Sequence, residues 1–160
     1  MFEAKDEEKF VGRVLTSIRV VNRADEVGAI RADGQEVEVR SVTIPDVLVD
    51  TGATTLCLPE DVIEKLGLEY SEEVGFQTPT VFSRARLFRD AHLYIEGRDD
   101  TFTCVEIPKG AKPLLGVIPL EALGLEPDLQ NQCLRVLPKE MGNTYFYAMN
   151  ISDSTQEVDP

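Results

Sequence analysis

The run Val47-Leu48-Val49-Asp50-Thr51-Gly52-Ala53 constrains this chain more than any other stretch. Its apolar residues read as a strand that is apolar on both faces, and hence central in a sheet. The strand stops at a carboxylate, and a hydroxyl residue, a glycine and an alanine follow. A glycine two places after the acid gives the turn conformational freedom and lets its N–H approach the carboxylate. The triplet Asp50-Thr51-Gly52 occurs once, and no second Asp-Ser-Gly or Asp-Thr-Gly is found in the 160 residues.

The rest of the chain reads mostly as short strands. Phe10 to Val21 is apolar-rich and β-branched, and Ala32-Asp33-Gly34 is a turn signal. Glu36 to Arg40 alternates as a half-buried strand does, and Pro45 opens the run into Asp50. Further strands are expected over Glu73 to Phe82, Ala85 to Glu96 and Thr101 to Ile107, with Gly97-Arg98-Asp99-Asp100 as the turn between the last two. Cys133 to Leu137 and Thr144 to Met149 read as late strands. Two short helices fit Pro59 to Gly67 and Pro119 to Gly124, each opened by proline and closed by glycine. The expected class is mainly β with two short helices. One domain is expected over 10–150, after an acidic N-terminal segment 1–9 and before a flexible acidic tail 151–160.

One stretch echoes another. Leu66-Gly67-Leu68-Glu69 recurs as Leu123-Gly124-Leu125-Glu126, each preceded by an apolar-Pro pair and, before that, by a glycine in apolar context. Chance in a leucine-rich chain is one account. An internal pseudo-two-fold, with a carboxylate in its first half only, is the other.

Charge and composition exclude several function classes. The 29 acids against 16 bases give a net charge of −13, which leaves no basic stripe for nucleic acid. No run of 18 apolar residues offers a membrane span, and Met1 to Glu8 lacks the apolar stretch of a signal peptide, so a cytoplasmic location is expected. Cys57, Cys104 and Cys133 lie far apart and are expected as buried or semi-buried reduced thiols. No His-Glu-x-x-His, paired cysteines, Gly-x-Ser-x-Gly or phosphate-binding glycine loop is present, so neither a metal nor a cofactor is expected. His92, the single histidine, reads as a structural strand residue, and Arg84, Arg86 and Arg89 as a solvated strand face, the alternative being a contact to an acidic substrate or to the flap's partner.

The residues Val47 to Thr54, followed by Leu114-Leu115-Gly116 and a short helix, resemble a retropepsin-type aspartic protease subunit, in particular the small single-domain forms of bacteria. The resemblance covers roughly Phe10 to Pro138. It implies a closed β-barrel subunit that pairs with a twin. In that family the acid is catalytic, which points to Asp50 here, with Thr51, Gly52 and Ala53 as its loop. Thr51 would hydrogen-bond across the dimer axis. The apolar-apolar-Gly stretch Leu114-Leu115-Gly116 would sit beneath the active-site loop. A hairpin between these two stretches would form a flap over a polypeptide substrate, its tip near Gly75, Phe76, Gln77, Thr78, Pro79 and Thr80. Viral flap tips are glycine-rich, whereas this one carries Pro79, which implies a stiffer or differently shaped flap.

Peptide hydrolysis by this route needs two carboxylates facing each other across a water. With one Asp-Thr-Gly per chain, a homodimer must supply Asp50 twice, on its two-fold axis. A second function class fits the same residues: a retropepsin-fold module that dimerises or binds peptides without turnover.

Overall fold

The computed structural model describes residues 13–138. The described chain runs β1 (Val14–Asn22), α1 (Arg23–Arg31), β2 (Ser41–Val49), β3 (Leu56–Pro59), α2 (Glu60–Leu66), β4 (Tyr70–Gln77), β5 (Phe82–Ile95), β6 (Arg98–Ile107), β7 (Leu114–Leu115), α3 (Val117–Leu123), β8 (Leu125–Asp128) and β9 (Cys133–Val136). The expected strand over Thr144 to Met149, segment 1–9 and tail 151–160 lie outside the described residues. The protein is mainly β, as the sequence implies. No described helix is long and apolar enough to cross a membrane.

Seven strands pair in the order β1-β2-β7-β3-β6-β5-β4. β1 also pairs with β5 through Arg19 to Asn22, so the pairings lead round from β1 to β5 and back. Among the described residues, β4 is left paired to β5 alone. Ile18, Val20, Val47, Leu56, Leu58, Leu93, Cys104 and Leu115 are all buried and form the centre of the core. Each large aliphatic side chain withdrawn from water there contributes about 1.5–3 kcal/mol. β2 is central, as expected, but its register against β1 shifts opposite Thr16 to Ile18. Pro45 and Asp46 stand opposite Ser17 alone, so β2 carries one extra residue. Pro45 has no N–H to give the ladder, and Asp46 takes φ 56°, so the strand absorbs its proline as a bulge.

Three expectations are corrected. The described residues hold three helices, because Arg23–Arg31 forms α1. This helix buries none of its residues. Polar tethers hold it: Asn22 Oδ1 accepts from Asp25 N at 3.1 Å, Arg40 donates two side-chain hydrogen bonds to the Asp25 carboxylate at 2.8 and 3.0 Å, and Tyr94 donates to Glu26 at 2.6 Å. Glu36 to Arg40 is not a strand; the ladder begins at Ser41, and Val37 stays 43% exposed with no partner strand beside it. The β5–β6 turn is two residues, Glu96 at φ 51° and Gly97 at φ 74°, so Arg98, Asp99 and Asp100 already belong to β6. Positive φ at both central positions matches the twist of the flanking strands.

The sequence echo is also a structural echo. α2 and α3 have seven residues each and end on left-handed glycines, Gly67 (φ 61°) and Gly124 (φ 63°). Both C-terminal carbonyl pairs are met by one distant side chain. Asn22 Nδ2 donates to the Leu66 and Gly67 carbonyls at 2.8 and 3.3 Å, and Arg98 Nη1 to those of Leu123 and Gly124 at 2.6 and 3.0 Å. Arg98 Nη2 also donates to the Leu137 carbonyl. Helix α2 starts one residue later than expected, with Pro59 as its N-cap and the last residue of β3.

Asn22 is 4% exposed and joins the start of α1 to the end of α2. Asn22→Ala removes a cap worth about 1 kcal/mol and leaves a buried carbonyl unpaired at about 1–3 kcal/mol. A loss of about 2–4 kcal/mol in urea unfolding is the expected result. Asn22→Asp keeps the cap but sets a buried carboxylate oxygen against the Leu66 and Gly67 carbonyls, so it should be no more stable than Asn22→Ala near neutral pH. A wild-type midpoint for both variants would refute the double role.

Candidate active site

β2 delivers Asp50 to a loop that four backbone interactions fix in place. β2 and β7 pair in parallel, with Leu48 opposite Leu114 and Val49 opposite Leu115. The Asp50 N–H donates to the Leu115 carbonyl at 3.0 Å, and the Ala53 N–H to the Asp50 carbonyl at 3.0 Å. Beyond the loop the chain returns as β3, with Leu56 opposite Leu115. β7 is thus a two-residue strand gripped on both sides by the strands that enter and leave the Asp50 loop.

The Asp50 carboxylate is half-exposed, and its Oδ1 accepts from the Gly52 N–H at 2.8 Å. A Cβ on Gly52 would lie 3.1 Å from that same oxygen, so the glycine permits the close approach. Thr51 is exposed beside it and Ala53 half-buried. Sequence reasoning included Thr54 in the family stretch without a role and passed over Thr55. The Ala53 and Thr54 carbonyls accept from Val117 and Ile118 N–H groups at 2.9 Å each, and Thr55 Oγ1 donates to the Thr103 carbonyl at 2.9 Å. The first N–H groups of a helix have no partner within it. α3 has no side-chain cap, and the Asp50 loop itself supplies the missing acceptors. These acceptors are backbone carbonyls, so residue type gave no signal for them; only Thr55, through its hydroxyl, uses a side chain.

Gly116 explains why Leu114-Leu115 must end in glycine. Its backbone is ordinary extended chain, φ −90°, so conformational freedom is not the reason. A Cβ there would lie 2.6 Å from both the Ala53 carbonyl oxygen and the Thr55 nitrogen, and nearer still to the Thr55 carbonyl oxygen.

The β4–β5 hairpin occupies the stretch expected to form the flap. Its tip is Thr78 to Val81, with Pro79 and Thr80 at the turn, while Gly75, Phe76 and Gln77 belong to β4. Thr78 closes the tip: its N–H donates to the Val81 carbonyl at 2.9 Å, and its hydroxyl accepts from the Val81 N–H at 3.1 Å. The Phe82 ring lies across Gly75, within 2.7 Å of where a Cβ would stand. Phe76, Val81 and Phe82 are all well exposed, at 46%, 55% and 65%.

His92, Arg84 and Arg86, singled out by sequence, have local partners. His92 is buried, with Nε2 at 2.8 Å from Asp99 Oδ2 and Nδ1 at 2.6 Å from Thr101 Oγ1. Arg86 makes a two-point contact with Glu106, and Arg84 lies 3.7 Å from Glu73. Cys57 is half-buried near the site. Burial pushes its thiol pKa up, and the Asp50 charge adds to the shift. Burial also raises Cys104 to about 12, whereas Cys133 is exposed, against expectation. The thiolate is the reactive form. A disulfide reagent near neutral pH should therefore label Cys133 fast, Cys57 slowly and Cys104 only on unfolding, as read by peptide mass. Equal rates at all three would contradict this order.

An aspartyl protease family model matches residues 28–118, more than half of the chain and the whole of the Asp50 loop, the hairpin and β7. The chain belongs to the aspartyl protease family. No curated protein matches it. The aspartyl protease match ends at Ile118, the second residue of α3, whose N–H is held by the Thr54 carbonyl.

Proposed function

We propose that the chain is an aspartic endopeptidase acting as a homodimer, with Asp50 of each protomer forming the catalytic pair. The observation that carries this reading is a single half-exposed carboxylate on a loop braced by β7 and α3, within the aspartyl protease match. The strand pairings that return from β5 to β1 are read as the closed barrel of such a subunit, and the β4–β5 hairpin as its flap.

Two carboxylates about 3 Å apart share one proton, because both cannot carry charge at that distance. The ionised Asp50 takes a proton from the water between them as the water oxygen attacks the peptide carbonyl. The protonated Asp50 gives its proton to the carbonyl oxygen. The acid and base roles then reverse as the C–N bond breaks and the amine leaves protonated. The Gly52 N–H, 2.8 Å from Oδ1, holds the carboxylate oriented through both steps. Thr51, exposed beside the acid, joins the two loops across the axis.

The test is cleavage of an unfolded protein or a peptide library between about pH 3 and 7, comparing wild type with Asp50→Asn, alongside sedimentation. Cleavage by a dimer that the substitution abolishes supports the reading. Cleavage undiminished by it refutes the mechanism, and peptide binding without cleavage favours the non-catalytic module.

A further inference from the structure

At the root of the β4–β5 hairpin a shallow groove separates α2 from the end of β6. Its floor is apolar, formed by Ile63, Leu68 and Phe88, each less than a tenth exposed. Its rim is charged, with Glu60 and Glu64 from α2, Glu106 from β6 and Arg86 from β5. Three acids thus face one base. Arg86 is engaged by Glu106 through hydrogen bonds of 2.9 and 2.7 Å. Among the described residues no salt bridge reaches Glu60 or Glu64, and Glu60 acts on Arg86 through its charge alone.

Glu60 and Glu64 stand four residues apart on a seven-residue helix. Like charges at that spacing face each other and destabilise a helix. Repulsion beside an apolar floor is relieved by a cation that arrives with an apolar neighbour. The Phe88 ring already carries one guanidinium, with Arg86 5.4 Å from its centroid. The chain's net charge of −13 also draws basic partners towards it. β3 leads away from the Asp50 loop, and its far end pairs Leu58 with Glu106. The groove is therefore separate from the Asp50 loop.

We propose that this groove binds a basic polypeptide segment, an apolar side chain resting on Ile63, Leu68 and Phe88 and a neighbouring Lys or Arg beside Glu60 and Glu64. Resting on the endopeptidase reading, this segment belongs to the substrate, held at a distance from the bond that is cut.

Binding is measured on the full Asp50→Asn chain, by anisotropy of two labelled peptides: one alternating Lys and Leu, the other with Glu in place of Lys. The Lys-Leu peptide should bind, weaken as salt rises, and lose about 5-fold or more in affinity in the Glu60→Gln/Glu64→Gln double variant. It should shift the methyl resonances of Ile63 and Leu68 and leave that of Ala53 in place. Comparable binding of the Glu-Leu peptide, unchanged affinity in the double variant, or shifts confined to Ala53 would overturn the proposal. So would a lower melting temperature of the double variant, which would make the two acids structural. Cleavage is assayed separately on the wild type, so a chain that binds but does not cut fails the endopeptidase reading alone.

Discussion

Asp50→Asn is expected to lower peptide hydrolysis by at least about 1,000-fold, the scale on which a general acid and a general base each act. The fold should survive the change. Asn keeps an oxygen for the Gly52 N–H, and the backbone bonds to Leu115 and Ala53 involve no side chain. The melting temperature is the control, and it should move little. A mixing experiment separates a shared site from a complete one. If each dimer needs two Asp50 carboxylates, equal parts of wild type and variant, unfolded and refolded together, leave about a quarter of the dimers active. If each chain holds a complete site, about half the activity remains. A result near one half would remove the two-fold requirement, and with it the argument from a single Asp-Thr-Gly.

Most of what was legible in the sequence had a local cause. The strand into Asp50, the turn at Gly52, and the helix closed by Gly67 each follow from neighbours a few residues apart, and each is present. α1 was missed although Asn22 as N-cap, Asp25 and Glu26 in the first turn and Arg31 in the last are local signals. It has no buried face to create an apolar period; Arg40 and Tyr94, far along the chain, secure it through Asp25 and Glu26. Glu36 to Arg40 misled for the converse reason: alternation marks a strand only where a partner strand and a core lie on one side, and Val37 has neither. At the site, Asp50 and Gly116 were visible as residue types. The fact that loop carbonyls at Ala53 and Thr54 complete α3 depends on a fold that brings residues 53 and 117 together.

That dependence makes Gly116→Ala the most damaging small substitution expected in this chain. One methyl group would be set against three backbone atoms of Ala53 and Thr55. A flexible side chain could yield, but these atoms cannot retreat independently. Leu56, next to Thr55, is paired with both Leu115 and Cys104, and the Ala53 carbonyl is held by Val117. Relief must come from separating β7 from the Asp50 loop, which breaks the Asp50 N–H bond to Leu115. Overpacking of this kind costs about 3 kcal/mol or more, a fall of roughly 10 °C in melting temperature for a chain of this size. Any folded fraction should lose activity beyond what its population explains, because Asp50 is no longer fixed. Gly28→Ala is the matched control: nothing lies within 4 Å of its Cβ position on α1, and alanine is the better helix former by about 1 kcal/mol. It should leave activity intact and raise the melting temperature slightly. A Gly116→Ala chain as stable and active as wild type would show that the loop can part from β7 without loss, and the bracing assigned to Leu114-Leu115-Gly116 would be wrong.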